Sequence, residues 1–446
     1  MKLKNIKEIT KEDLLLTFGW IATWLSIGIT PEYLINFKIS LSINLLNYIR
    51  GIIPIIYLII VVFYFSDQIK SKIIFRNNYI IILLGLYFAA QIIPLIIKKS
   101  SNIEDVYYLI LSANALLIIF LKMHQKEEDK IFFYLSILFI FLLFINFFFH
   151  QIKNFVYTPL TFYEQWGIAS EKEDFLKNIK LDFIYPNILG FSRYVLILFF
   201  FAFFFINKYN FLRILVIAFL SSLLFLLQAR ATLLIYLIFV FLHPFIFKNL
   251  KIIDYLKKIF LLLLIPIVIF FAFHEVKEKF FFTQKIELRN QSEIDLYKEH
   301  KIRLFRRLPL TNETHPKVNY SSDRFNDWVV MIEGSKKEFW GLGPQADRNY
   351  YQKTASNGFV YSFVCAGYFG LLFFVILFMY SLYINFKSLL VLRSLPSNFN
   401  KLIYPMICLT FLIRSIFETS FAVFGIDFIL FFYCLFMVHK INKQFN

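Results

Sequence analysis

Apolar and polar positions in this chain are sorted into long blocks. They show neither the alternation of a half-buried strand nor the narrow apolar stripe of a surface helix. A helix that crosses a bilayer needs about 20 mostly apolar residues. Twelve blocks approach that length, at 14–34, 45–65, 79–97, 104–121, 131–149, 187–206, 212–227, 231–247, 256–273, 357–380, 402–419 and 421–438. The seventh and eighth meet at Gln228–Arg230, and the last two are closely joined. The pattern predicts an all-α polytopic integral membrane protein of about twelve transmembrane helices.

Two polar stretches interrupt the series, at 150–186 and 274–356. The larger is a loop between the ninth and tenth predicted helices, and loops of this length generally carry function or structure of their own. Within it, SEIDLYKEHKIRLFRRL repeats Leu296, His300 and Leu304 at helical spacing. RFNDWVVMIEGSKKEF has helical periodicity too, with Trp328 and Ile332 on one face. The expected organisation is a membrane bundle over 1–273, the large outer loop over 274–356, and three further helices over 357–446.

Composition sharpens this picture. Of 446 residues, 59% are hydrophobic and 17% charged, and the formal net charge is +17. Soluble domains are about one quarter charged. Lysines and arginines gather in alternate connections, such as Lys70, Lys72 and Arg76 or Lys248, Lys251, Lys257 and Lys258. The short connections at 98–103 and 228–230 hold few. The positive-inside bias then puts both termini in the cytoplasm. That topology accounts for the positive charge without a nucleic-acid partner. The first apolar run resembles the core of a signal peptide but lacks a small-residue cleavage site, so it reads as a retained helix. Cys365, Cys408 and Cys434 all lie in apolar runs and offer neither a disulfide framework nor metal-ligand spacing.

Ionisable residues inside apolar blocks are costly in lipid and usually face a bundle interior or a pathway. Arg193, Arg230 and Arg414 share the outer half of the predicted membrane, with Glu418 and Asp427 nearby. Arg414 and Glu418 stand four residues apart, the spacing of an ion pair on one helix face. One reading is structural: snorkelling side chains or a salt bridge. The other is an anion site, because guanidinium groups present fixed donors to phosphate oxygens. Gln91, Asn114 and Gln228 do not join into a continuous polar stripe, and no pair of broken helices suggests a transporter.

The segment before the tenth block, SSDRFNDWVVMIEGSKKEFWGLGPQADRNYYQKTASNG, is the most polar sequence next to a membrane run. Its GLG lacks the GKS or GKT ending of a phosphate loop. The order SSDRFNDW, EFWGLGPQADRN, ASNGFVYSFVCAGYFG, with LLFLLQARATLLIYL before it and RSIFETSFAVFG after, resembles the bacterial O-antigen polymerase and ligase superfamily. The layout matches over nearly the whole chain, and the motifs lie mostly in 185–235 and 320–425. Ligases of that superfamily typically place a histidine before the late-loop asparagine. Ser356 stands there in this chain, so the resemblance favours a Wzy-type polymerase.

The resemblance implies a glycosyltransferase of the bacterial inner membrane, with its active site facing the periplasm. Its substrate would be an undecaprenyl-diphosphate-linked oligosaccharide. The growing glycan would move onto the nonreducing end of another lipid-linked repeat, and no cofactor is needed because the lipid diphosphate is the leaving group. Arg230, Arg324, Arg348 and Arg414 are the candidates for holding that diphosphate, with Arg193 next. Asp347 and Glu418 are candidate bases ahead of Asp323 and Asp327, although Glu418 also has the structural reading of neutralising Arg414. Trp328, Trp340, Tyr350 and Tyr351 are candidates for packing on sugar rings, and ordinary packing is an equal reading for each. Asn357 is either a substrate contact or a helix cap. The same family implies membrane lipids, a flippase and a chain-length regulator as partners. The alternatives are an O-antigen ligase acting on lipid A-core, and a flippase or other transporter of lipid-linked oligosaccharide.

Overall fold

A computed structural model describes residues 11–28, 43–69, 79–98, 103–123, helical positions within 133–144, 188–205, 210–246, 252–272, 324–393 and 400–444, apart from isolated positions within them. Every regular element among the described residues is helical. In chain order these are α1 Lys11–Gly28, α2 Ile43–Tyr64, α3 Tyr79–Lys98, α4 Ile103–Met123, α5 Ile188–Phe205, α6 Asn210–Leu227, α7 Arg230–Ile246 and α8 Ile252–Ile259. They continue with α9 Arg324–Ser335, α10 Ala346–Asn349, α11 Gly358–Arg393, α12 Ile403–Phe417 and α13 Ile426–Gln444. A π-turn, Phe260–Leu264, carries α8 onward, and a 3-10 turn, Ser420–Ala422, joins α12 to α13. The predicted loop 150–186, the predicted helix around His300, and Asp323 lie outside the described residues.

Among the described residues, three helices are long and apolar enough to cross a membrane: Tyr79–Ile97, Gly358–Arg393 and Asn400–Phe417. Large apolar side chains cover much of the surface, as at Ile52, Ile56, Ile59 and Phe63 along α2. A water-soluble fold would bury such a row. These are the features of a polytopic membrane protein.

The chain forms two compact units. The first holds 1–139, 323–391 and 404–446. In it α1 packs on α2, α2 on α4, and α4 on α13. Gly19 lets α1 approach α2 closely, since a Cβ there would meet the Tyr57 ring at 2.0 Å. The Tyr57 hydroxyl donates to Leu16 O at 2.7 Å. Asn114 Nδ2 on α4 donates to Pro54 O on α2 at 3.1 Å. In the second unit α5 packs on α6 and α7. Phe199, Phe200, Phe203 and Phe239 form its edge-to-face core, with Phe200 and Phe239 5.1 Å apart. Hydrogen bonds buried between helices hold such bundles where lipid removes the hydrophobic drive to associate.

The tenth predicted span, 357–380, proves to be a different object. α11 continues to Arg393 and is broken at Gly367, whose φ of 63° and ψ of −155° are non-helical. The break leaves carbonyls of the first half without helical partners. The chain at 339–343 supplies them: Leu342 N donates to Val364 O at 2.9 Å and Gly343 N to Cys365 O at 2.9 Å. In return Tyr368 N donates to Phe339 O at 3.2 Å. Non-helical backbone inside an apolar run is tolerated where other protein satisfies it, and Gly341 and Gly367 make the contact possible. A Cβ on Gly341 would stand 2.4 Å from Gly367 N.

Candidate functional site

The polar stretch before α11 is a folded cap on one end of the first unit. α9 forms where periodicity predicted it, over Arg324–Ser335. Asp327 in its first turn suits the positive end of the helix dipole, and its carboxylate accepts from Lys353. Trp328 Nε1 donates to Ala355 O. Tyr351 and Ser335 share a hydrogen bond of 2.9 Å between their hydroxyls. Tyr350 and Arg348 are exposed. Three non-glycine residues, Gln345, Gln352 and Ser356, have φ between 45° and 54°. Such backbone persists only where surrounding contacts over-determine it, and it clusters at sites of function.

Asn357 is a cap at two helix ends. Its Oδ1 accepts from Phe359 N at 2.8 Å and Val360 N at 3.1 Å, closing the start of α11. Its Nδ2 donates to Ile416 O at 2.9 Å. The next carbonyl of α12, Phe417 O, accepts from Arg324 Nη1 at 3.0 Å. Arg324 and Asn357 therefore serve adjacent orphan carbonyls at the C-terminus of one helix. The second guanidinium nitrogen of Arg324 lies 3.6 Å from Glu418 Oε1. Glu418, anticipated from its spacing as a partner of Arg414, makes its ion pair with Arg324, 94 positions earlier in sequence. Glu418 N still closes the last helical turn on Arg414 O at 2.7 Å, but its carboxylate pairs with Arg324. Arg414 occupies the last turn of α12, 3% exposed, where the helix dipole favours a cation.

Asp347 is 2% exposed. Its Oδ2 accepts from Ala355 N at 2.9 Å. Burial pushes its carboxyl above the ordinary carboxylate range, against the smaller downward pulls of the Ala355 hydrogen bond and the Arg348 charge. The carboxylate thus fastens the same 353–357 segment that Trp328 holds by Ala355 O, and it lies beneath the surface of the cap.

The structure brings Arg324, Asn357 and Glu418 around the end of α12, with Arg414 one turn before. Arg193 and Arg230 belong to the second unit. There Ser192 and Thr232 share a 2.8 Å hydrogen bond between α5 and α7, which brings the stretches carrying the two arginines to one helix contact. Arg193 Nη2 donates to Tyr194 Oη at 3.0 Å. Arg230 is exposed at the first position of α7.

A buried polar cluster went unmarked in the sequence. The Tyr87 hydroxyl on α3 reaches Ser362 Oγ at 2.9 Å and Ala422 O at 2.9 Å. Tyr108 on α4 reaches Tyr361 at 3.2 Å between hydroxyls, and Gln345 N donates to Tyr361 Oη at 3.3 Å. These bonds tie the cap to α3, α4 and the first half of α11. The available signal was a tyrosine or serine on each of three apolar runs, which composition rich in tyrosine conceals. Compared with family models, curated proteins and solved structures, the chain matches none.

Proposed function

We propose that the protein is a membrane glycosyltransferase of the O-antigen polymerase kind. It lengthens undecaprenyl-diphosphate-linked oligosaccharide at the periplasmic face of the bacterial inner membrane. In this reading about twelve helices span the bilayer and the loop before α11 is periplasmic. The observation that carries it is the grouping of Arg324, Glu418 and Asn357 at the end of α12, one turn from Arg414. Here a partly exposed guanidinium is held by one carbonyl and one carboxylate.

The chemistry follows from that pairing. The bond between the donor's anomeric carbon and its diphosphate oxygen breaks, and the electron pair leaves with the diphosphate. The acceptor hydroxyl oxygen forms the new bond to that carbon and gives up its proton. Arg324 meets the charge that develops on the diphosphate, an electrostatic contribution that often dominates catalysis. A diphosphate that takes the guanidinium displaces Glu418, and the freed carboxylate receives the acceptor proton. Asp347 has a positioning role, since it lies under the cap and holds Ala355. Arg348 and Tyr350 are exposed on the cap for contacts with glycan.

The test is elongation by purified protein in lipid, supplied with defined undecaprenyl-diphosphate repeats and read by product mass. A ladder spaced by whole repeats, without nucleotide, is expected. No ladder from the native repeat overturns the reading. Product only on addition of lipid A-core replaces it with a ligase, and transbilayer movement of intact repeats without lengthening replaces it with a flippase.

A further inference from the structure

The geometry points to a lipid-binding surface on the cap: Phe339 and Trp340 are seated in the bilayer interface at the Gly367 break, with Lys337 in the headgroup layer. The inference stands independently of the glycosyltransferase reading.

α11 has 36 residues, about 54 Å if straight at 1.5 Å per residue. A hydrocarbon core is about 30 Å thick. The helix is therefore too long to be one span, and its two parts differ in what surrounds them. From Gly358 to Gly367 every residue is buried in protein except the half-buried Phe359. Beyond the break, Tyr368, Leu372, Ile376, Met379, Tyr383, Phe386 and Leu390 are all exposed. They recur every three or four positions, so they make one stripe. Tyr368 to Leu390 covers about 33 Å of helix, one hydrocarbon thickness. The lipid-facing part of α11 thus begins at Gly367, ten residues after the predicted start at 357.

The chain at 336–340 sits at that level. Trp340 stacks on Phe369, with centroids 5.3 Å apart, and Phe339 packs on Tyr368 and Phe369. Yet Phe339 stays 51% and Trp340 38% exposed. Both rings extend the exposed stripe of α11 at its upper end. Tryptophan and tyrosine collect at this depth because an apolar ring and a polar edge are satisfied together. Lys336 is paired with Glu333. Lys337 is exposed, two residues before Phe339, and its flexible stem suits the phosphates of anionic lipids. A glycan platform explains neither the match to the bilayer thickness nor the lysine beside the rings.

The test uses the full chain in vesicles of phosphatidylethanolamine and phosphatidylglycerol whose acyl chains carry bromine near the carbonyl end or near the methyl end. Shallow bromine is expected to quench part of the native tryptophan emission. Trp340→Phe, which keeps the ring stack on Phe369, should lose that part while deep quenching stays unchanged. Equal shallow quenching in native and variant proteins overturns the proposal. So does a Trp340 emission that responds to added oligosaccharide and is blind to bromine. A nitroxide on Lys337→Cys gives a second reading, because Cys365, Cys408 and Cys434 are buried. Relaxation at the depth of the phosphates is expected, and aqueous nickel reaching the label as freely as in bulk water overturns the assignment.

Discussion

Gly367→Ala is the sharpest test of how the cap is held. An alanine at φ 63° and ψ −155° enters backbone space that costs ~1–3 kcal/mol. Its Cβ would stand 2.1 Å from Phe339 O, 2.6 Å from Gly341 N and 2.7 Å from Trp340 C. All three are backbone atoms, so no side-chain rotation relieves the clash and the 339–343 chain must lift. Lifting it breaks the hydrogen bonds of Leu342 N to Val364 O, Gly343 N to Cys365 O and Tyr368 N to Phe339 O. Each is worth ~0.5–1.5 kcal/mol. Strain and lost bonds together come to about 2.5–7.5 kcal/mol, against a whole-fold stability of ~5–15 kcal/mol. Gly85→Ala on α3 is the control. Nothing lies within 4 Å of a Cβ there, and alanine is favoured over glycine inside a helix by ~1 kcal/mol. The assay is thermal unfolding in detergent, followed by loss of the monodisperse peak, with protease sensitivity at 336–357 as the local readout. Gly367→Ala should unfold well below the native chain, and its cap should be cut first. A midpoint matching that of Gly85→Ala would mean that the Gly367 break does not hold the cap in place.

Four further outcomes are expected. Asn357→Ala should destabilise by ~1–3 kcal/mol, since it loses an N-cap and the donor to Ile416 O; Asn357→Asp should retain part of that stability in the same thermal assay by keeping the acceptor. A double-mutant cycle on Arg324 and Glu418 should give a stability coupling below ~1 kcal/mol, because both side chains are partly solvated. Elongation by Arg324→Ala should fall by roughly 10²-fold, and equal small losses in stability and elongation would reduce Arg324 to a helix cap. Asp347→Asn should remove a pH dependence of stability. The buried carboxyl binds its proton more tightly folded than unfolded, so native stability falls as pH rises from the ordinary carboxylate range to the raised folded value, then levels off. The variant's gain should therefore be absent in acid and grow through that window, by ~1.4 kcal/mol for each tenfold difference in proton affinity; a gain independent of pH would contradict it.

The sequence alone determined that this is a helical membrane chain, because apolar runs of spanning length register directly in composition and period. α3 and α12 lie close to their predicted limits, as does α9 inside a polar stretch, since each depends on its own residues. The cap was one of two readings the sequence offered for Asn357, because an N-cap is local chemistry; its hydrogen bonds to Phe359 N and Val360 N match it. Everything that depends on partners distant along the chain became visible only in the folded structure. Gly367 sits in an unbroken apolar run, and its break exists only because Phe339–Gly343 arrives to satisfy the freed carbonyls. The last two helices were placed at 402–419 and 421–438, but the second starts at Ile426 after a 3-10 turn. Hydropathy averages across that short turn and does not register it. Glu418 pairs with Arg324 across 94 sequence positions, while the four-residue spacing pointed to Arg414. Period reports which residues share a face of one helix. It carries no information on which helix end, loop carbonyl or charge another part of the chain brings to that face.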